Sequence, residues 1–230
     1  MFATMEWQVA LACQVLHNDP DLAGKEISLV GTSQGGLTAR AIVERCEGLK
    51  IHTLALYGAP LTGNDVVPKC VSWWCPGFEM IFGYALEFML AQGWMTGYDY
   101  IHSTFGMYNH YKRSPFLPEL NNEVEHPDSA DFYRRFSGIK HLVLWQWEED
   151  QFIYPNSRAL FGDSDEDKNE IDMRDTALYK EDKFGLKKLD EEGRIHCYRG
   201  PGKHMKLEPW MTNDYLGPIL LNKEPQPSVC

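Results

Sequence analysis

Apolar positions recur at helical spacing from Phe2 to His17, where Trp7, Ala10, Leu11 and the Cys13–Leu16 stretch alternate with Glu6, Gln8 and Gln14. Asn18-Asp19-Pro20 closes that segment. Lys25 to Val30 then reads as a buried strand, Leu37 to Cys46 as a helix ending near Gly48, and Ile51 to Tyr57 as a second strand stopped by Gly58-Ala59-Pro60. Strand, helix, strand in that order predicts a right-handed parallel crossover. From Leu61 to about Ile139 the pattern breaks into short pieces. Trp73, Trp74, Phe78, Phe82, Tyr84, Phe88 and Trp94 mix there with Met80, Met89, Met95 and repeated glycines, and Glu79 to Gln92 reads as helical. Aromatics and methionines are ordinary core residues elsewhere, but this texture between two clear strands fits a cap carrying an apolar groove. Strand texture returns at Lys140–Trp147 and again at Arg194–Arg199, and Trp210–Leu221 reads as a closing helix.

The first strand runs into Gly31-Thr32-Ser33-Gln34-Gly35-Gly36. A serine in a G-x-S-x-G setting between strand and helix has the form of a nucleophile elbow, a sharp turn that lifts the hydroxyl out of a sheet. The expected reason for the spacing is that residues two before and two after the serine face each other across the turn. A glycine turn that merely contains a serine is the competing reading, and the strand before and helix after weigh against it.

Charge and cysteines narrow the partners. The net charge of −11 argues against a nucleic-acid partner, whose phosphates would be repelled. No apolar run is long enough to span a bilayer, and Met1–Glu6 has no basic n-region of a signal peptide. Cys13, Cys46, Cys70, Cys75, Cys197 and Cys230 show no C-x-x-C spacing. On spacing alone they fit reduced, buried thiols or bridges in an oxidising compartment equally well. The acidic stretch Asp163–Asp175 starts like a calcium loop. However, Lys168 stands where the turn glycine belongs and Arg174 where the bidentate glutamate belongs, so it reads as a solvated loop. No cofactor and no metal are expected.

A serine nucleophile needs a base, and the base needs an orienting acid. In an α/β-hydrolase arrangement these follow in the order Ser, Asp or Glu, His, at the ends of later strands. Asp150 lies just past the strand ending at Trp147, and His204 lies in a glycine-bracketed loop past the last strand. Glu148 and Glu149 compete with Asp150, with surface charge as their plain alternative. His196 falls inside the last strand and reads as structural. Ser33, Asp150 and His204 are thus the candidate triad, with the Gln34 backbone N–H as an oxyanion donor.

With these residues placed, the chain resembles the palmitoyl-protein thioesterases, α/β hydrolases of the lysosome. The resemblance is carried by Gly31–Gly36, the helix end Ala41–Cys46, Tyr108-Asn109-His110, Phe116–Glu123, Glu149-Asp150, Phe161-Gly162, Phe184–Lys187 and Gly202–Met205. It implies an α/β-hydrolase fold with a mostly parallel sheet flanked by helices, residues 1–60 and 140–230 forming the core and 61–139 a helical, aromatic-rich insertion that binds an acyl chain. It implies bridges Cys13–Cys46 and Cys70–Cys75, and leaves Cys197 and Cys230 without a partner. It implies lysosomal or secretory delivery. The family pattern begins with strands and an His-Gly oxyanion loop that precede the first helix here, so the expected fold is N-terminally incomplete. One donor of that kind is worth about 100- to 1000-fold in rate. The implied activity is hydrolysis of long-chain acyl thioesters on S-acylated proteins or peptides through a Ser-Asp-His triad and an acyl-enzyme. The alternatives are an oxygen-ester lipase on the same triad and a catalytically impaired acyl-binding relative.

Overall fold

The computed structural model describes residues 4–64, 99, 100, 102, 116–165 and 169–230. Four parallel strands form one sheet in the order β1-β2-β3-β6: β1 is Glu26–Thr32, β2 Lys50–Tyr57, β3 His141–Trp147 and β6 Ile195–Gly200. The strands alternate faces with period two, and β2, β3 and β6 are covered on both faces, so their sequences read as nearly continuous apolar runs. The expectation of a buried first strand is corrected: β1 is the edge of the sheet, with Glu26, Ser28 and Val30 exposed along one face. Leu54, Leu56, Leu142, Leu144 and Ile195 enter one core layer with Leu37, Ala41 and Ile42 of the helix α2 (Gln34–Arg45). Ala55, Tyr57, Val143, Trp145, Trp147 and Tyr198 face the other layer, against Met211, Leu216 and Ile219.

The first helix, α1 (Met5–Asn18), packs Met5 and Val9 inward and is capped by the Thr4 side chain, which accepts from the Trp7 N–H. A disulfide joins Cys13 of α1 to Cys46, just past α2. The closing segment differs from a plain α-helix. Met211–Leu216 is π-helical and Gly217–Leu220 α-helical, with the Gly217 N–H bonding the Thr212 carbonyl. Pro218 has no N–H to give and its ring crowds the carbonyl four residues back, which the wider π-turn accommodates.

Within the stretch read as an insertion, residues 116–139 contribute to the core. The helix Ser129–Phe136 packs against α2 through Phe136, and Phe116, Leu117 and Leu120 are buried beside it. A buried arginine ties these pieces together. The Arg40 guanidinium lies among the rings of Phe136, Phe161 and Phe184, at 5.3, 5.1 and 4.3 Å. It donates to Asn121 Oδ1 at 2.7 Å, to the Leu120 carbonyl at 3.0 Å and to Glu44 Oε1 at 2.8 Å. The Glu44 carboxyl is pushed up to about 7, first by burial, with Arg40 opposing.

The acidic stretch folds as a hairpin of two-residue strands, β4 (Asp163–Ser164) and β5 (Glu170–Ile171), with Asp163 paired to Arg158. At the outer edge of β6 the chain's last residues lie alongside. The Val229 N–H bonds the Cys197 carbonyl at 2.9 Å, the Cys197 N–H bonds Ser228 Oγ at 3.0 Å, and Cys197 is bridged to Cys230. The expectation that these two cysteines lack a partner is therefore corrected. The tail returns to the strand 33 residues on, a proximity that spacing does not reveal. Cys70, Cys75 and the helical piece Glu79–Gln92 lie outside the described residues.

Candidate active site

Ser33 stands between the end of β1 and the start of α2 with φ 54° and ψ −131°, a region that a residue with a side chain occupies only under strain. Its N–H bonds the Tyr57 carbonyl at 2.9 Å, and its carbonyl accepts from the Gly36 N–H at 2.9 Å, which fixes the turn from both sides. The glycines around it work differently from the facing pair expected. A Cβ on Gly31 would meet the Gly35 carbonyl oxygen at 2.4 Å and Gly36 Cα at 2.6 Å, and one on Gly36 would meet Ala59 Cβ at 2.5 Å. A Cβ on Gly35 would meet nothing within 4 Å among the described residues. The tight contact is thus Gly31 against the helix backbone, and Gly35 contributes its carbonyl rather than its lack of a side chain. The backbone N–H of Gln34 belongs to the first turn of α2, where helical N–H groups point away from the helix body. The Gln34 side chain accepts from Tyr100 Oη at 3.3 Å.

Past the end of β3, Asp150 is buried, with its side chain 2% exposed. Its Oδ1 accepts from the N–H groups of Phe152 at 2.8 Å and Ile153 at 3.1 Å. Its Oδ2 faces His204 Nδ1 at 2.7 Å. A carboxylate accepts, so Nδ1 carries the proton and Nε2 is left as an acceptor. Ser33 Oγ lies 2.8 Å from that Nε2. The three residues come from the ends of β1, β3 and β6, and one continuous hydrogen-bond chain connects them. The carboxylate that reaches the histidine is that of Asp150, whereas Glu148 and Glu149 are exposed. His196 is buried on β6 and lies 3.1 Å from His141 Nδ1; its imidazole is pushed down to about 4 by burial and by His141.

Several residues that hold this arrangement carry little sequence signal. Gly58 ends β2 with φ 54°, and a Cβ there would strike the Trp147 ring at 2.3 Å and lie 3.5 Å from Asp150 Oδ2. Its place directly after a strand is the one clue that the sequence offered. Trp147 lies edge-on to the His204 ring at 5.8 Å, and its Nε1–H donates to the Lys206 carbonyl at 3.2 Å. The loops that carry Asp150 and His204 are tied by the Glu148 N–H on the Gly200 carbonyl at 2.9 Å and the Glu149 N–H on the Gly202 carbonyl at 3.1 Å. Asn64 also holds the loop that carries Asp150, donating to the Phe152 carbonyl at 2.7 Å and accepting from the Tyr154 N–H at 2.8 Å. Nothing around Asn64 in the sequence marks it for that role.

Comparisons with known proteins agree on one family. The family model described as palmitoyl protein thioesterase matches residues 1–204. Palmitoyl-protein thioesterase 1 of Caenorhabditis elegans is 31% identical over 211 residues, which cover 90% of this chain and 70% of that one. The palmitoyl-protein thioesterase-dolichyl pyrophosphate phosphatase fusion 1 of Schizosaccharomyces pombe is 30% identical over 92% of this chain and 34% of its own length. Lysosomal thioesterase PPT2-B of Xenopus laevis is 29% identical over 77% of this chain and 62% of its own. The chain therefore spans from about a third to about 70% of these relatives. A parallel sheet flanked by helices, with a serine at the strand-to-helix turn, is an α/β-hydrolase core, and the chain belongs to the palmitoyl protein thioesterase family.

Proposed function

We propose that this chain hydrolyses thioesters joining long-chain acyl groups, palmitoyl among them, to cysteine in proteins or peptides. The observation that supports this reading most is the hydrogen-bond chain from Ser33 Oγ through His204 to Asp150. His204 Nε2 takes the hydroxyl proton as Oγ attacks the thioester carbonyl, and Asp150 holds the ring in the Nδ1–H tautomer and stabilises the imidazolium. The oxyanion meets the Gln34 N–H. As the tetrahedral intermediate collapses, the carbon–sulfur bond breaks and His204 returns the proton to the leaving thiolate. Water, deprotonated by His204, then attacks the acyl-serine, releasing the fatty acid and restoring Ser33 Oγ–H. An acyl chain contributes about 0.8 kcal/mol of binding per buried methylene. The aromatic-rich stretch is the site proposed for it, and most of that stretch lies outside the described residues. The disulfides Cys13–Cys46 and Cys197–Cys230 and the lysosomal relatives support an oxidising compartment, lysosome or secretory pathway, as the place of action.

The test is turnover of a palmitoyl thioester and its matched oxygen ester by the wild-type chain and by Ser33→Ala. Loss of thioester turnover by about 1000-fold or more in the variant is expected. Turnover that survives the substitution removes Ser33 from the reaction. A preference for the oxygen ester would move the assignment to a lipase.

A further inference from the structure

Large apolar side chains are exposed at the mouth of the triad. Phe152 is 70% exposed, Met205 58% and Leu207 50%. They form one patch: the Phe152 ring lies 5.1 Å from the His204 ring, Met205 follows His204 directly, and the Leu207 N–H turns back onto the Met205 carbonyl at 2.9 Å. Met205 also has φ 61°, a left-handed conformation that is costly for a side chain of this kind and persists only where its surroundings enforce it. Both loops bearing the patch are anchored, by Asn64 donating to the Phe152 carbonyl and by the Trp147 indole donating to the Lys206 carbonyl. The exposure is therefore built into two fixed loops.

We infer that Phe152, Met205 and Leu207 form a rim that docks the mouth of the active site onto a lipid bilayer. The choice of a bilayer rests on the acyl-thioester reading above, because a long acyl chain on a protein resides in lipid and must leave it to reach Ser33. Charge supports the same occupant. Exposed Lys203 and Lys206 lie in the same loop as Met205 and Leu207, Lys206 paired with Glu208 at 3.6 Å, and exposed Glu148 and Glu149 follow β3 on the loop that carries Phe152, so the rim carries both signs. Lysine stems extend along apolar surface while their ammonium groups stay wet, as at membrane interfaces. A rim of mixed charge around a central apolar patch suits a zwitterionic headgroup layer, with apolar burial driving the contact.

The experiment is co-sedimentation of the chain with phosphatidylcholine vesicles, using Ser33→Ala protein so that turnover does not enter. Met205→Asn with Leu207→Ser removes the apolar groups while keeping a residue that tolerates the left-handed conformation at 205. The pair should weaken partitioning tenfold or more, and Leu207→Trp should strengthen it. Partitioning should change by less than about threefold between low and high salt, since little net charge is engaged. Unfolding midpoints of the variants near wild type exclude misfolding as the cause. Absence of vesicle binding, equal binding by the double variant, or a steep salt dependence each overturns the inference. Self-association without vesicles that the double variant abolishes would make the rim an interface between copies and would also overturn it. A chain that cleaves a soluble thioester yet ignores vesicles defeats this inference alone, and one that binds vesicles yet cleaves nothing defeats the reaction alone.

Discussion

Replacing Glu44 by Gln should change how stability depends on pH. Glu44 is fully buried on α2, one carboxylate oxygen pairs with Arg40, and the other, Oε2, has no hydrogen-bond partner among the described residues. Burial outweighs the attraction of Arg40 and raises the carboxyl from 4.5 to about 7. A group whose affinity for its proton is raised by folding stabilises the fold below the unfolded value and loses that contribution as pH climbs through the folded one. The window here is thus pH 4.5 to about 7. A tenfold change in proton affinity is worth about 1.4 kcal/mol, so the interval corresponds to roughly 3 kcal/mol. That is a large part of the 5–15 kcal/mol typical of a domain. Urea unfolding at pH 4.5, 6 and 8 with disulfides intact measures it. Wild type should lose about 3 kcal/mol relative to Glu44→Gln between the extremes. Parallel curves for the two proteins would mean that Glu44 stays ionised beside Arg40 throughout, and the burial argument would fail.

The elbow glycines should separate under substitution. Gly31→Ala forces a Cβ into backbone at 2.4 Å and should cost about 2–3 kcal/mol or prevent folding, whereas the Cβ of Gly35→Ala meets nothing within 4 Å among the described residues and should gain up to about 1 kcal/mol from helix propensity, both read as urea midpoints. The two disulfides among the described residues close loops of equal length, 33 residues apart in each case, so the chain-entropy account gives each about 3–4 kcal/mol. Unfolding of Cys197→Ser/Cys230→Ser should show a loss of that order, and a loss under about 1 kcal/mol would mean that the tail does not hold the edge of β6. Cys13→Ser/Cys46→Ser should cost about as much, because Cys46 and Cys197 are buried in the same core.

Elements whose signal is local were legible in the sequence. Leu54 and Leu142 lie in apolar runs that only a strand covered on both faces requires, and both are in the sheet. Ser33, Asp150 and His204 could be singled out because each sits at a strand end among turn residues, and strand ends are where a parallel sheet brings side chains together, as it does these three. What was illegible depends on segments distant in the chain. Arg40 on a helix reads as a solvated charge. Its burial depends on Asn121 and on Phe136, Phe161 and Phe184, which approach it from three separate segments. The Cys197–Cys230 bridge and the Asn64 clamp have the same character: each is a contact between pieces whose own patterns say nothing of the partner.

The same distinction explains why the site rests on glycines and tryptophans that no motif contains. To bring Asp150 and His204 over Ser33, the loops after β2, β3 and β6 must approach closely, and something must fill the space beneath them. Trp145 and Trp147, both fully buried on β3, do the filling. A Cβ on Gly200 would strike the Trp145 ring at 2.4 Å, just as one on Gly58 would strike Trp147 at 2.3 Å. Each indole is therefore flush against a backbone that has no side chain to displace it. Trp147 adds a hydrogen bond to the loop that carries His204. A smaller residue at 147 would leave a void directly under the imidazole, and a larger one at 58 would push the indole toward it. The 2.7 and 2.8 Å contacts of His204 thus depend on volume matched across three strands, which holds the imidazole in place together with its own two hydrogen bonds.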